Sequence, residues 1–366
     1  MFARVSVLFL VSLLPATGAS FSDLYFFGDS LTDTGNIYGA TTALSAVTFG
    51  LVPVQPLSPP YYNGRFSDGP VWAETTAALL GQAEDAGRAS MSLGPFGVLP
   101  GAGNNYAIGG ARTGYGGALG IFDAFVPTGV LAQVDFYLQE SGTASPTALY
   151  FLSGGGNDLR DATQIADTNA RIAAANAAAD YLAYSIYKLY LNGARNFMLV
   201  NGPNIGFVPE TIALGKINEG FEAAAYFNFR LAGWAYYFNQ TPDMQIGLFD
   251  LFTFSSEVFF DTLLGGQQYG FTEALIPCKP GTPGASSCAT SLFFDDIHPT
   301  ASLHALVGTR IADQIAQEWA GFGEPAVLSR AFAAVAEVEQ VPEPATVGLV
   351  CIALIGCGVA RRRRAA

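Results

Sequence analysis

The stretch Leu24-Tyr25-Phe26-Phe27-Gly28-Asp29-Ser30-Leu31-Thr32-Asp33-Thr34-Gly35-Asn36 decides how the rest of the chain is read. Its first part is apolar or aromatic without alternation up to Gly28, which is the pattern of a short parallel strand covered by helices on both faces. At Gly28 the pattern breaks and turns polar, so Ser30 stands where the strand ends and a turn or helix begins. Ligands of open parallel sheets gather at the carboxyl ends of the strands, and a serine placed there presents its hydroxyl to them. A lone Gly-Asp-Ser is weak evidence, since a serine ahead of a helix is commonly its N-cap.

Outward from this stretch the same rhythm recurs. Short apolar runs at residues 105–108, 148–152, 196–200 and 245–251 alternate with helical patterns at 71–80, 168–191, 219–239 and 301–319. Within the second helix, Leu182, Ile186 and Leu189 form one apolar stripe at three- and four-residue spacing. Strands alternating with helices predict a three-layer α/β/α sandwich around a mainly parallel, doubly wound sheet, one domain over residues 21–322. No internal repeat is visible. The glycine-rich residues 94–120 hold no Gly-x-Gly-x-x-Gly opening a helix, so dinucleotide binding is disfavoured.

Three further blocks sit at predicted strand or helix ends. Asn105-Tyr106-Ala107-Ile108-Gly109-Gly110-Ala111-Arg112 closes the second strand, and its paired glycines let backbone N–H groups approach a substrate. Gly154-Gly155-Gly156-Asn157-Asp158 follows the third strand and offers the Asn157 amide as a donor beside a turn. Asp295-Asp296-Ile297-His298-Pro299-Thr300 precedes the last long helix, with Pro299 expected in its first turn. An Asp three residues before a His can hold its Nδ1–H and leave Nε2 to act as a base. The chain has two histidines, and His304 is expected to face elsewhere as a packing or surface residue. Asp29, Asp33 and Asp296 invite a paired-carboxylate reading, but acids near a helix start are usually caps or dipole partners.

Together, and in this order, the blocks resemble the GDSL family of the SGNH hydrolase superfamily. The family's Ser, Gly, Asn and His match Ser30, Gly110, Asn157 and His298, with Gly109 an alternative to its neighbour. Gly64-Arg65-Phe66-Ser67-Asp68-Gly69 and Val200-Asn201-Gly202-Pro203 resemble the larger bacterial and plant lipase-like branch. The resemblance implies an SGNH hydrolase, flavodoxin-like fold and hydrolysis of carboxylic esters, of lipid or of acyl or acetyl groups. Ser30 would be the nucleophile, His298 the base and Asp295 its partner, with Gly110 and Asn157 in the oxyanion hole and no cofactor or metal. The Gly-x-Ser-x-Gly elbow of the α/β-hydrolases is absent, since Leu31 and Thr32 follow Ser30. The rival readings on the same fold are an acyltransferase and a structural protein of a surface exopolysaccharide matrix.

The two ends carry addresses. Residues 1–20 read as a signal peptide, with Arg4, an apolar run and small residues at Thr17, Gly18 and Ala19. Val341-Pro342-Glu343-Pro344, the apolar residues 345–360 and four arginines at 361–364 resemble the PEP-CTERM sorting signal. That resemblance implies processing by an exosortase and export in a Gram-negative bacterium, to the periplasm, outer surface or extracellular matrix. Residues 323–340 read as a spacer, and membrane contact is expected through the tail alone, residues 341–366. In an exported chain, Cys278 and Cys288, flanking a loop of Pro and Gly, are expected to form a disulfide, while Cys351 and Cys357 read as packing residues of the tail.

Composition is consistent with this division. The 366 residues are 50% hydrophobic, 13% charged and carry a net charge of -13, with a mean hydropathy of +0.31. Without Arg4 and the four tail arginines the net charge falls to -18. Such acidity disfavours a nucleic-acid partner, which is bound by an excess of Lys and Arg.

Overall fold

A computed structural model describes residues 21–94, 97–117 and 127–319. The expected signal peptide, spacer and sorting tail lie outside the described residues, as do Cys351 and Cys357. Among the described residues six strands are present: β1 (Leu24–Phe27), β2 (Met91–Ser92), β3 (Val98–Leu99), β4 (Leu149–Leu152), β5 (Asn196–Val200) and β6 (Gln245–Phe249). The helices are α1 (Asn36–Val47), α2 (Trp72–Leu79), α3 (Val130–Ser141), α4 (Gly156–Thr163), α5 (Thr168–Leu191), α6 (Pro209–Ala213), α7 (Ile217–Phe238), α8 (Leu251–Leu263) and α9 (Ala301–Glu318).

The main sheet is parallel, in the order β1-β4-β5-β6, with Phe27 level with Leu152 and Leu152 level with Leu199. Helices cover both faces, as the unalternating strands require. Phe27, Tyr150, Leu152, Phe197, Leu199 and Ile246 pack toward α3, α5 and α7. Leu24, Phe26, Leu149, Phe151, Met198 and Val200 pack toward α2, α8 and α9. Phe26 stacks on Phe151 with ring centroids 4.6 Å apart. The fold is the expected three-layer α/β sandwich.

Two strand expectations need correction. Residues 105–108 run beside β1 but form only isolated parallel bridges, Asn105 to Phe26 and Asn105 to Arg88, rather than a strand. The Tyr106 and Ile108 N–H groups donate to the Phe26 and Gly28 carbonyls at 2.8 and 3.1 Å. On the other edge, backbone pairing is confined to Asn105, whose N–H donates to the Gly87 carbonyl at 3.0 Å and whose carbonyl accepts the Ala89 N–H at 2.9 Å, while Asn36 Nδ2 donates to the Asn105 and Ala107 carbonyls, each at 2.8 Å. The second correction is β6, which stops at Phe249 because the Asp250 carboxylate accepts the Thr253 N–H and opens α8.

With residues 105–108 on one side of β1 and β4 on the other, the connections reverse direction at β1. This is the switch point at which such sheets bind ligands. Cys278 and Cys288 are joined by a disulfide, with Cα atoms 5.1 Å apart. Among the described residues no helix is long and apolar enough to cross a membrane.

Candidate active site

Ser30 lies in a tight turn directly after β1, where the Thr32 and Asp33 N–H groups both return to the Asp29 carbonyl at 3.0 Å. Gly28 leaves no room for a side chain, since a Cβ there would meet Ser153 Oγ at 2.5 Å. Gln133 grips the same residue from α3, accepting the Gly28 N–H at 2.9 Å and donating to its carbonyl at 2.8 Å. The Asp33 carboxylate accepts the N–H groups of Gly35, Asn36 and Ile37 at the head of α1, and that of Gly109 at 2.7 Å. It therefore caps a helix, as expected of an acid at that place, and also ties the serine turn to the Gly109-Gly110 turn. Burial pushes Asp33 up to about 6, against the pull of those four donors.

The Ser30 hydroxyl is 2.9 Å from His298 Nε2. His298 Nδ1 is 2.8 Å from Asp295 Oδ2 and 2.9 Å from Oδ1. Asp295 Oδ1 also accepts the N–H groups of Ile297 and His298 at 2.9 and 2.8 Å, and Oδ2 accepts the Tyr61 hydroxyl at 2.6 Å. Burial raises the Asp295 carboxyl, but His298 and these donors more than offset it and hold the group well below the usual carboxylate range. Such a carboxylate stays ionised and fixes a proton on Nδ1, which leaves Nε2 free to accept one from Ser30. Ser30 and His298 are only 8% and 7% exposed, so the contact between them lies largely out of water.

Pro299 is not in the first turn of α9. Thr300 is the N-cap, its Oγ1 accepting the Leu303 N–H, and α9 begins at Ala301. His298 is instead held from the other side, its carbonyl accepting the Phe294 N–H at 2.8 Å. Residues 64–69 clamp the same corner: Ser67 Oγ donates to the Pro299 carbonyl at 3.1 Å and Asp68 Oδ1 accepts the Ala301 N–H at 2.7 Å. The Phe66 ring lies 4.9 Å from the His298 ring.

Asn157 lies in the first turn of α4 rather than in a free turn, and its Nδ2 donates to the Ala111 carbonyl at 3.0 Å. One amide proton is spent there and one is left. Gly110 has φ 81°, a left-handed conformation that glycine adopts at little cost. The Gly109 N–H is consumed by Asp33, and among the described residues the N–H groups of Ser30 and Gly110 donate to no acceptor. Gly110 is tied to the other groups through its neighbours, the Gly109 N–H being bonded to Asp33 and the Ala111 carbonyl to Asn157.

A cleft runs from Ser30, Asn157 and His298 between α8 and α9, where Trp72, Phe207, Leu251, Phe254, Phe259 and Val307 line it. His304 also lines the cleft instead of facing away from it. It is a packing residue: Nδ1 accepts the Trp72 N–H at 3.3 Å, and burial holds its pKa down to about 3. Sequence reading missed Tyr61, Gln133 and the pairing of Asp33 with Gly109. Phe66 was flagged only by the block in which it sits.

The family model for GDSL-like lipase/acylhydrolase matches residues 24–311. The chain belongs to this family. It is accordingly a carboxylic ester hydrolase, and a second match, to the PEP-CTERM protein-sorting motif at residues 340–364, marks it as an exported protein of Gram-negative bacteria with exosortase-related processing. A phosphatidylcholine-sterol acyltransferase of Aeromonas hydrophila is 23% identical over 82% of this chain and 92% of its own length. A GDSL esterase/lipase of Arabidopsis thaliana is 25% identical over 84% of this chain and 94% of its own. The esterase EstA of Pseudomonas aeruginosa is 31% identical, over 46% of this chain and 28% of its own length. Among solved structures, a lipolytic G-D-S-L protein of Veillonella parvula superposes with a TM-score of 0.40 at 13% identity, over 80% of this chain and 96% of that one. Est24, a carbohydrate acetylesterase of Sinorhizobium meliloti, gives 0.39 at 14% identity, over 81% and 98%.

Proposed function

We propose that the chain hydrolyses esters of apolar acyl groups through a covalent intermediate on Ser30. The observation that carries this reading is the unbroken run of hydrogen bonds from Ser30 Oγ through His298 to Asp295 at the mouth of an apolar cleft. His298 Nε2 takes the serine proton as Oγ attacks the ester carbonyl, and Asp295 stabilises the imidazolium. The tetrahedral oxyanion is met by the N–H groups of Ser30 and Gly110 and by the second Asn157 amide proton. The imidazolium gives its proton to the departing alcohol, and water, deprotonated by His298, releases the acid. No metal or organic cofactor enters this cycle.

The lining of the cleft favours an acyl chain of medium or greater length over acetate, because aromatic and aliphatic side chains continue well beyond the reacting atoms. An alcohol in place of water would make the same acyl-enzyme a transferase, and the Aeromonas relative bears an acyltransferase name. The enzyme acts outside the cytoplasm, at the periplasm or outer surface, held first by its C-terminal segment until the sorting motif is processed.

Hydrolysis of p-nitrophenyl esters from acetate to palmitate tests the reading. Turnover is expected to rise with chain length beyond acetate and to vanish in Ser30→Ala. Equal rates in Ser30→Ala and the wild type would overturn it. A phospholipid offered with and without a sterol acceptor separates hydrolysis from transfer.

A further inference from the structure

The carboxylate that serves His298 has a partner of its own. The Tyr61 hydroxyl donates a hydrogen bond to Asp295 Oδ2 at 2.6 Å, and the phenolic oxygen accepts one from Lys279 Nζ at 3.1 Å. An ammonium can only donate, so Lys279 leaves the phenol oxygen one role as acceptor and commits the single phenolic proton to Asp295. Lys279 also lies 4.5 Å from the centre of the Tyr61 ring, a cation over an aromatic face. The ring itself is held edge-on by Phe294 at 5.1 Å and Phe66 at 6.0 Å, and Phe66 in turn packs on His298.

Lys279 is not a free surface lysine. The Cys278 and Lys279 N–H groups donate to the Phe293 and Phe294 carbonyls at 3.0 and 2.8 Å. These bonds, with the Cys278–Cys288 disulfide next to them, fix its backbone to the segment that leads into Asp295. Burial and Asp295 both push the Tyr61 phenol above its ordinary range, so it remains a donor at any working pH.

We propose that Tyr61 is a positioning residue for the Asp295–His298 pair, and that Lys279 sets the direction of its hydrogen bond. Tyr61 touches neither substrate nor the reacting atoms. By occupying the outer lone pair of Oδ2 it holds the carboxylate plane in line with the imidazole, and so keeps Nε2 aimed at Ser30. The inference rests on the Ser30–His298–Asp295 reading above.

The test is steady-state kinetics with a p-nitrophenyl ester on Tyr61→Phe, Lys279→Met and Lys279→Arg, alongside Ser30→Ala. Tyr61→Phe keeps the ring and its packing and removes one hydrogen bond to a charged group. It is expected to lower kcat about 10- to 100-fold with KM within about twofold. Lys279→Met is expected to lose a smaller part of kcat, and Lys279→Arg, which restores a cationic donor, to recover most of it. A wild-type kcat in Tyr61→Phe overturns the proposal, and so does a loss carried by KM. Equal losses in Lys279→Met and Lys279→Arg overturn the role given to Lys279. If Ser30→Ala is as active as the wild type, the catalytic reading itself fails. If Ser30→Ala is inactive while Tyr61→Phe is normal, only this inference fails.

Discussion

Gly109→Ala places a methyl group between two parts of the site that the structure holds in contact. The new Cβ would lie 2.1 Å from Phe66 Cε2, 2.8 Å from Phe66 Cζ and 2.9 Å from Ile37 Cγ2. Ordinary contact begins near 3.4 Å, so the Phe66 ring must withdraw by more than 1 Å or the Gly109 turn must shift. Neither movement is free. The ring rests on His298, and the Gly109 N–H is bonded to Asp33, which caps α1. Overpacking of this kind costs about 1–3 kcal/mol of stability. A displacement of about 1 Å at the base, which sits 2.9 Å from Ser30, costs on the order of 10²-fold in turnover. Urea unfolding and ester hydrolysis read the two effects. Phe66→Leu in the same chain shortens the side chain that is struck and should return about 1 kcal/mol or more of the loss. If Gly109→Ala has native stability and activity, or if Phe66→Leu adds its own loss in full with no relief, the packing argument is wrong.

Asn157→Ala is expected to lower kcat by about 10²–10³-fold while melting close to the wild type, because it removes the proposed oxyanion donor from a half-buried helix start. Val307→Phe fills part of the cleft and should move the best acyl length toward shorter chains, measured as kcat/KM across the p-nitrophenyl series. His304 makes a stability prediction. Its pKa is held down to about 3 in the fold, against an ordinary value near 6.5. The stability it contributes is present above about 6.5 and is lost as pH falls toward 3. Burial raises Asp33 and Asp158 to about 6 and Glu318 to about 7, and these slope the other way. The difference between the wild type and His304→Leu isolates the histidine, which should approach ~1.4 kcal/mol per pH unit below pH 6. A constant difference from pH 7 to pH 4.5 would contradict this.

What sequence reveals of this site depends on how local each cause is. The serine turn was legible because β1 is apolar on both faces and ends abruptly at Gly28, a pattern set within five residues. The Asp295–His298 pair was legible for the same reason, being three residues apart. Tyr61 was not: it meets Asp295 across 234 residues of chain, and nothing near it in sequence marks it. Several helices were also unforeseen, for physical reasons. α4 opens Gly-Asn-Asp, which on its own favours a turn, and α8 is rich in Phe, Thr and Val, residues that prefer strands. In α8, burial of Val258 and Phe259 against the sheet outweighs that preference. The run at 105–108 has a strand's composition, but its outer edge meets the Gly87–Ala89 backbone only at Asn105 and the Asn36 amide at Asn105 and Ala107, and so it stays at isolated bridges.

The central claim is that Ser30 is the nucleophile, made reactive by His298 and Asp295. Labelling with a fluorophosphonate tests it most directly, followed by intact mass and peptide mapping. The account predicts one equivalent of label, carried by the peptide that holds Ser30, with none on Ser30→Ala and greatly slowed labelling of His298→Ala. An unlabelled active enzyme, or label on a different serine, would contradict it.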